Sequence, residues 1–135
     1  MPSVREEYRT RLETLDVLER KRVDIETKLA AAQDELARAR LRVAVDTRHS
    51  LPSDAWKDPA TGRTNVEWAK NVVKAHEMED PEVTRLVRRV MELEAELRSI
   101  LCAIRCAERW VAYFRCLMLV DEDLSSRVRE LAGCL

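Results

Sequence analysis

The string His76-Glu77-Met78-Glu79-Asp80 comes within one residue of HExxH, the pattern in which two histidines one helical turn apart bind zinc and the glutamate serves as base. Here the second ligand position is Asp80, directly before Pro81 and at a helix end, so the segment reads as a solvated acidic terminus. Cys102 and Cys106 also lie one turn apart, with Cys116 and Cys134 further on. Structural zinc sites use tighter CxxC turns, and a helical i, i+4 pair is too far apart for an unstrained disulfide. Cysteine packs as a small hydrophobe, so the four read as reduced thiols. His49 and His76 stand outside any nucleophile–base motif, carboxylates such as Glu92, Glu94 and Glu96 alternate with arginines as on a solvated helix face, and no Gly-rich phosphate loop is present. The expectation is a protein that is not an enzyme, without catalytic residues, metal, cofactor or small-molecule substrate.

The remaining signal is basic. The net charge is −1, but residues 1–37 sum to −2, residues 38–74 to +4 and residues 75–135 to −3. The positive middle runs through Arg38, Arg40, Arg42, Arg48, Lys57, Arg63, Lys70 and Lys74, with Trp56 and Trp68 among the charges. Guanidinium and ammonium groups neutralise phosphates while aromatic rings stack on unpaired bases, a combination suited to single strands. The bland reading is a solvated basic loop with Trp68 anchoring a short helix. Duplex reading of the bZIP kind is not expected, because the basic segment follows the heptads and helix breakers follow Arg48.

The elements that position these residues are helical. With 2 Gly, 4 Pro, 36% charged and 4% aromatic residues, the chain lacks the turns and aromatic stretches of a β protein. From about residue 3 to 46 there is no Pro or Gly, and Tyr8, Leu15, Leu18, Ile25, Leu29, Ala32, Leu36, Ala39 and Val43 follow four-three spacing, interrupted where Arg11 and Arg22 fall on the seam. Such a helix is roughly 65 Å long and needs a long partner. After Asp80 as cap and Pro81, a second seam runs unbroken through Val83, Leu86, Val90, Leu93, Leu97, Ile100, Ile104, Ala107, Val111, Phe114 and Met118. The expected fold is all-α: a long antiparallel coiled-coil helical hairpin, residues 1–135 as a single helical domain. Its parts are a long helix over about 3–46, a loop over 47–63, a short helix over about 65–76 with Thr64 as cap, a long helix over about 81–118 and a short C-terminal helix over about 121–131 ending before Gly133.

From Ile100 to Val120 the second long helix is apolar on more than one face, with Leu101, Trp110 and Leu117 off the seam. One partner helix cannot cover all of it, which points to a homo-oligomer whose interface uses Leu101, Trp110, Phe114 and Leu117. The longest apolar run, around Leu117 to Val120, is too short for a bilayer span and the N-terminus becomes charged at once, so a cytoplasmic location without membrane attachment is expected.

The order of parts resembles that of the UvsY-type recombination mediators of phages. The similar stretch, about residues 36–118, comprises a helix end with basic residues (Leu36 to Val45), a polar Gly-containing loop, a short helix with Lys70 and Lys74, and "EDPEVTRLVRRVMELEAELRSI" opening a long helix. The long N-terminal heptad segment, the slightly acidic overall charge and the cysteines depart from that pattern. The resemblance implies a non-enzymatic, oligomeric accessory protein that binds single-stranded DNA and works with a recombinase or a single-strand-binding protein, in the host cytoplasm if phage-encoded. Arg42, Arg48, Lys57, Arg63, Lys70 and Lys74 would contact phosphates and Trp56 would stack. The alternative is a coiled-coil structural or adaptor protein that self-assembles through its C-terminal apolar helix and binds a protein partner.

Overall fold

Nothing between Ser3 and Leu51 interrupts a helix, and the computed structural model places a single one, α1, over Val4–Ser50. Residues 1–63 and 66–133 are described by the structure, the side chains of Ser53 and Asp54 excepted. The start of α1 is a reciprocal cap: the Ser3 hydroxyl accepts the Glu6 backbone N–H at 3.2 Å while the Glu6 carboxylate accepts the Ser3 N–H at 3.1 Å. Helix α2 covers Val66–Glu79 and α3 covers Pro81–Gly133. Asp80 separates them as the N-cap of α3, its Oδ1 accepting the N–H groups of Glu82 and Val83 at 3.0 Å each. The described residues are all helical apart from the connections, with no β-strand among them.

Several boundaries differ from the sequence reading. Helix α1 continues four residues beyond Asp46, because the first breaker is Pro52, and Thr47 turns inward with its hydroxyl donating to the Val43 carbonyl at 2.6 Å. The expected cap at Thr64 and the first helical position at Asn65 lie outside the described residues; α2 ends at Glu79 instead of His76. The separate helix over 121–131 does not exist. Residues 119–133 are the continuation of α3, since neither Gly nor Pro intervenes between Pro81 and Gly133 and an aspartate at position 121 is tolerated inside a helix at small cost. The supposed irregular loop contains two ordered turns. Ser53–Trp56 forms one 3-10 turn, and Asp58 organises the next by accepting the Ala60 N–H on its side chain at 2.9 Å and the Gly62 N–H on its carbonyl at 2.7 Å. Gly62 sits at φ +69°, a conformation an L side chain rarely adopts.

Helix α1 packs against α3, and the contacts group into two units. In the unit of residues 26–95, Ala32, Leu36, Ala39 and Val43 of α1 are buried with Val83, Leu86, Val90 and Leu93 of α3. Leu86 and Leu93 are the most completely enclosed, and each contributes about 1.5–3 kcal/mol through its burial. In the unit of residues 1–25 and 96–135, Ile104 and Ala107 are buried, while Leu15, Leu18, Val111 and Phe114 are half-buried. The two seam arginines are accommodated there without breaking the helix. Arg22 pairs with Glu19 at 2.7 Å, and the Arg11 guanidinium lies 4.6 Å from the centroid of the Trp110 ring. Among the described residues no helix is long and apolar enough to cross a membrane.

Candidate nucleic-acid interface

Four of the seven side chains expected to contact nucleic acid meet in one place. An open groove of about 450 Å³ in the unit of residues 26–95 is lined by Arg48 from α1, Trp56 from the 3-10 turn, and Lys70 and Lys74 from α2. Ala44, Val66, Ala69, Val73 and Glu77 complete it. The local sequence explains the assembly. Val66, Ala69, Val73 and Glu77 recur at three- and four-residue intervals and share one face of α2, with Lys70 and Lys74 beside them. Trp68 ties this helix to the turn that carries Trp56, its Nε1–H donating to the Ala55 carbonyl at 3.2 Å. Trp68 is thus the anchor of the turn and Trp56 the ring at the groove.

The distribution of exposure gives the groove an amphipathic character. Arg48, Lys70 and Lys74 are exposed, whereas Ala44, Trp56, Ala69 and Val73 are half-buried. Three cations face a single carboxylate, Glu77, and that carboxylate lies 3.8 Å from Arg40 Nε. A volume of about 450 Å³ is in the lower half of the range typical of small-ligand sites, about 300–1,000 Å³.

The other three expected contacts stand elsewhere. Arg42 is exposed but committed to partners in its own chain: its Nη2 donates to both oxygens of Asp80 at 3.1 Å and to Glu82 at 3.0 Å, and Asp46 lies 3.6 Å away. The hydrogen bond to Asp80 raises its already high pKa. Asp80 is held below the usual carboxylate range, first by the Val83 N–H and then by Arg42. Lys57 and Arg63 are exposed and outside the groove lining, with the Arg63 carbonyl accepting the Asp58 N–H at 2.8 Å. The zinc-like string is occupied as well. His76 Nδ1 lies 3.1 Å from the Val72 carbonyl, and Asp80 serves as cap and ion-pair partner.

The residues expected at an oligomer interface separate onto different faces of α3. Trp110 is 46% exposed and contacts Tyr113 edge-on at 5.8 Å and Phe114 in a stacked arrangement at 5.9 Å. Phe114 itself belongs to the seam that faces α1, with the Arg11 guanidinium 5.6 Å from its centroid. Leu117, half-buried, shares a face with Trp110, while Leu101 falls on a third face with Leu119. No family model, curated protein or solved structure matches the chain.

Proposed function

We propose that this protein is a non-enzymatic accessory factor that binds single-stranded DNA through the groove of Arg48, Trp56, Lys70 and Lys74, and that it does so as a homo-oligomer. The observation that carries the reading is the convergence of three cations and one indole from α1, the 3-10 turn and α2 on one apolar-lined groove. Phosphates meet the exposed cations at its border, and an unpaired base finds an aromatic and aliphatic surface between them. A duplex, whose bases are already stacked, gains nothing from that surface. The resemblance in element order to the UvsY-type mediators supports a role in loading a recombinase onto DNA covered by single-strand-binding protein. In each unit the α1 and α3 segments are assigned as an antiparallel coiled coil. Arg5 pairs with Glu122 while Arg11 reaches Trp110 in one, and Gln33 and Arg40 share a cleft with Glu94 and Val87 in the other.

The test is fluorescence anisotropy of a labelled single-stranded oligonucleotide, with a duplex of equal length alongside. Saturable binding that prefers the single strand is expected, with a slope of log K against log salt of about −2, the value for roughly three phosphate contacts. Combined Arg48→Glu, Lys70→Glu and Lys74→Glu substitution removes it. Absence of binding at low salt overturns the reading. The second reading, a self-assembling coiled-coil adaptor, is favoured by the exposed apolar residues of α3 from Trp110 to Leu131; under it, substitutions on that helix and none in the groove abolish function.

A further inference from the structure

Helix α3 carries two heptad seams, and α1 covers one of them. Residues Ile104, Ala107, Val111, Phe114 and Met118 are buried or half-buried in the unit of residues 1–25 and 96–135. A second series, Trp110, Tyr113, Leu117, Val120 and Leu124, alternates three and four residues and lies about 110° further round the helix. Apolar residues continue at Val128 and Leu131, after one four-residue step out of the alternation; Leu117 is half-buried, while Tyr113 is 52% exposed, Val120 57%, Leu124 54% and Leu131 68%. Upstream the same spacing reaches Cys106 and Ala103.

We infer that this second seam is the contact between two copies of the chain, α3 against α3 in antiparallel direction, centred near Leu117. The inference deepens the homo-oligomer part of the proposed function and rests on it. A two-fold contact requires a surface that complements itself. The α1 segment of the same unit offers no alternative, because its exposed apolar residues, Leu12, Val17 and Val23, do not follow three-four spacing. Charge selects the direction. Arg105 and Arg109 precede Leu117 and the run Asp121-Glu122-Asp123 follows it. Antiparallel pairing sets Asp123 beside the other copy's Arg109, whereas parallel pairing stacks Asp123 on Asp123 and Arg109 on Arg109; Glu122 lies on the opposite face, paired with Arg5 of α1 at 3.0 Å. The Asp123–Arg127 pair at 3.3 Å, 62% and 71% exposed, remains on the helix surface and does not compete strongly. Side-chain volume agrees, since Trp110 and Tyr113 of one copy then meet Val120 and Leu124 of the other. Covering the exposed parts of these side chains removes on the order of 600 Å² per copy, the lower edge of what stable interfaces bury.

Light scattering after size exclusion and single-cysteine cross-linking test the geometry. The full chain is expected to be a dimer in solution, and Val120→Glu with Leu124→Glu to make it monomeric at unchanged helix content. Leu119→Glu, equally exposed but off the seam, leaves the dimer intact. A variant retaining Cys116 alone (Cys102→Ser, Cys106→Ser, Cys134→Ser) is expected to form a disulfide-linked dimer on mild oxidation, because Cys116 lies beside the two-fold axis; one retaining Cys106 alone is not. A chain that is monomeric at all concentrations overturns the self-association, whatever the groove binds. A dimer that cross-links through Cys106 and not Cys116, or that survives the Val120 and Leu124 substitutions, overturns this seam and direction while leaving the oligomeric reading standing.

Discussion

The Asp80 carboxylate accepts the N–H groups of Glu82 and Val83 and the guanidinium of Arg42, so protonating it weakens three contacts at the junction of α2 and α3. These donors lower its pKa from the ordinary 3.8, the Val83 N–H being the largest cause. A carboxylate with a lowered native pKa binds protons more readily unfolded than folded, so its contribution to stability is complete above the unfolded value and disappears as the pH falls through the native one. The difference in melting temperature between the protein and its Asp80→Asn variant should therefore be level from about pH 7 to about pH 5 and close below 3.8. Asparagine caps a helix almost as well as aspartate, so the comparison isolates the charge. A difference undiminished at pH well below 3.8 would show that the contribution is steric. The commitment of Arg42 to this network also shows what a count of basic residues leaves out. Sequence shows that Arg42 is cationic and near the others in number, but its neutralising partners, Asp80 and Glu82, lie 38 and 40 residues away.

At the scale of the elements, the burial seams were legible almost residue by residue. Every residue from Ala32 to Val43 and from Val83 to Leu93 assigned to a seam by its spacing is buried in the structure. Periodicity reads burial directly when two long helices each bury one stripe. It fails where the register shifts: Thr47 is 3% exposed, but it is polar and follows Val43 by four residues where the alternation calls for three. The floor of the groove escaped for a related reason, because Ala69 and Val73 sit in a charged segment and gain their role only from the turn that Trp68 holds against α2. The reciprocal cap of Ser3 and Glu6 was present in the sequence as S-x-x-E. The expected break before residue 121 is where sequence and structure differ most, since neither Gly nor Pro enforces a boundary between Pro81 and Gly133. The consequence is testable with Asp121→Pro. At the start of an independent helix proline is tolerated, but inside α3 it removes a hydrogen bond and clashes with the preceding turn, at about 3 kcal/mol. Circular dichroism should show helix lost over the residues that follow. Unchanged helicity would mean that the backbone accepts a new start at that position.

At the scale of the molecule, the charge pattern and the apolar pattern divide between the two units: the groove belongs to residues 26–95 and the second seam to residues 1–25 with 96–135. Under the proposed function, a groove with three cations holds a single strand weakly at physiological salt, because each neutralised phosphate supplies only a modest, salt-sensitive term. The inferred pairing of two chains through α3 would change this without adding a contact to either groove, since a strand held by one would reach the other at high effective concentration. Length of DNA then becomes the variable that separates the two units' contributions. On an oligonucleotide of about six nucleotides, the protein and its Val120→Glu, Leu124→Glu variant should bind alike, with a slope of log K against log salt near −2. On a strand of about forty nucleotides the protein should bind on the order of 100-fold more tightly than the variant, with a slope approaching −4, as both grooves engage. Equal affinities on the long strand, in a protein shown to be dimeric, would mean that one strand cannot span both grooves. Each copy would then act alone on DNA, and pairing of the chains would serve to hold two strands.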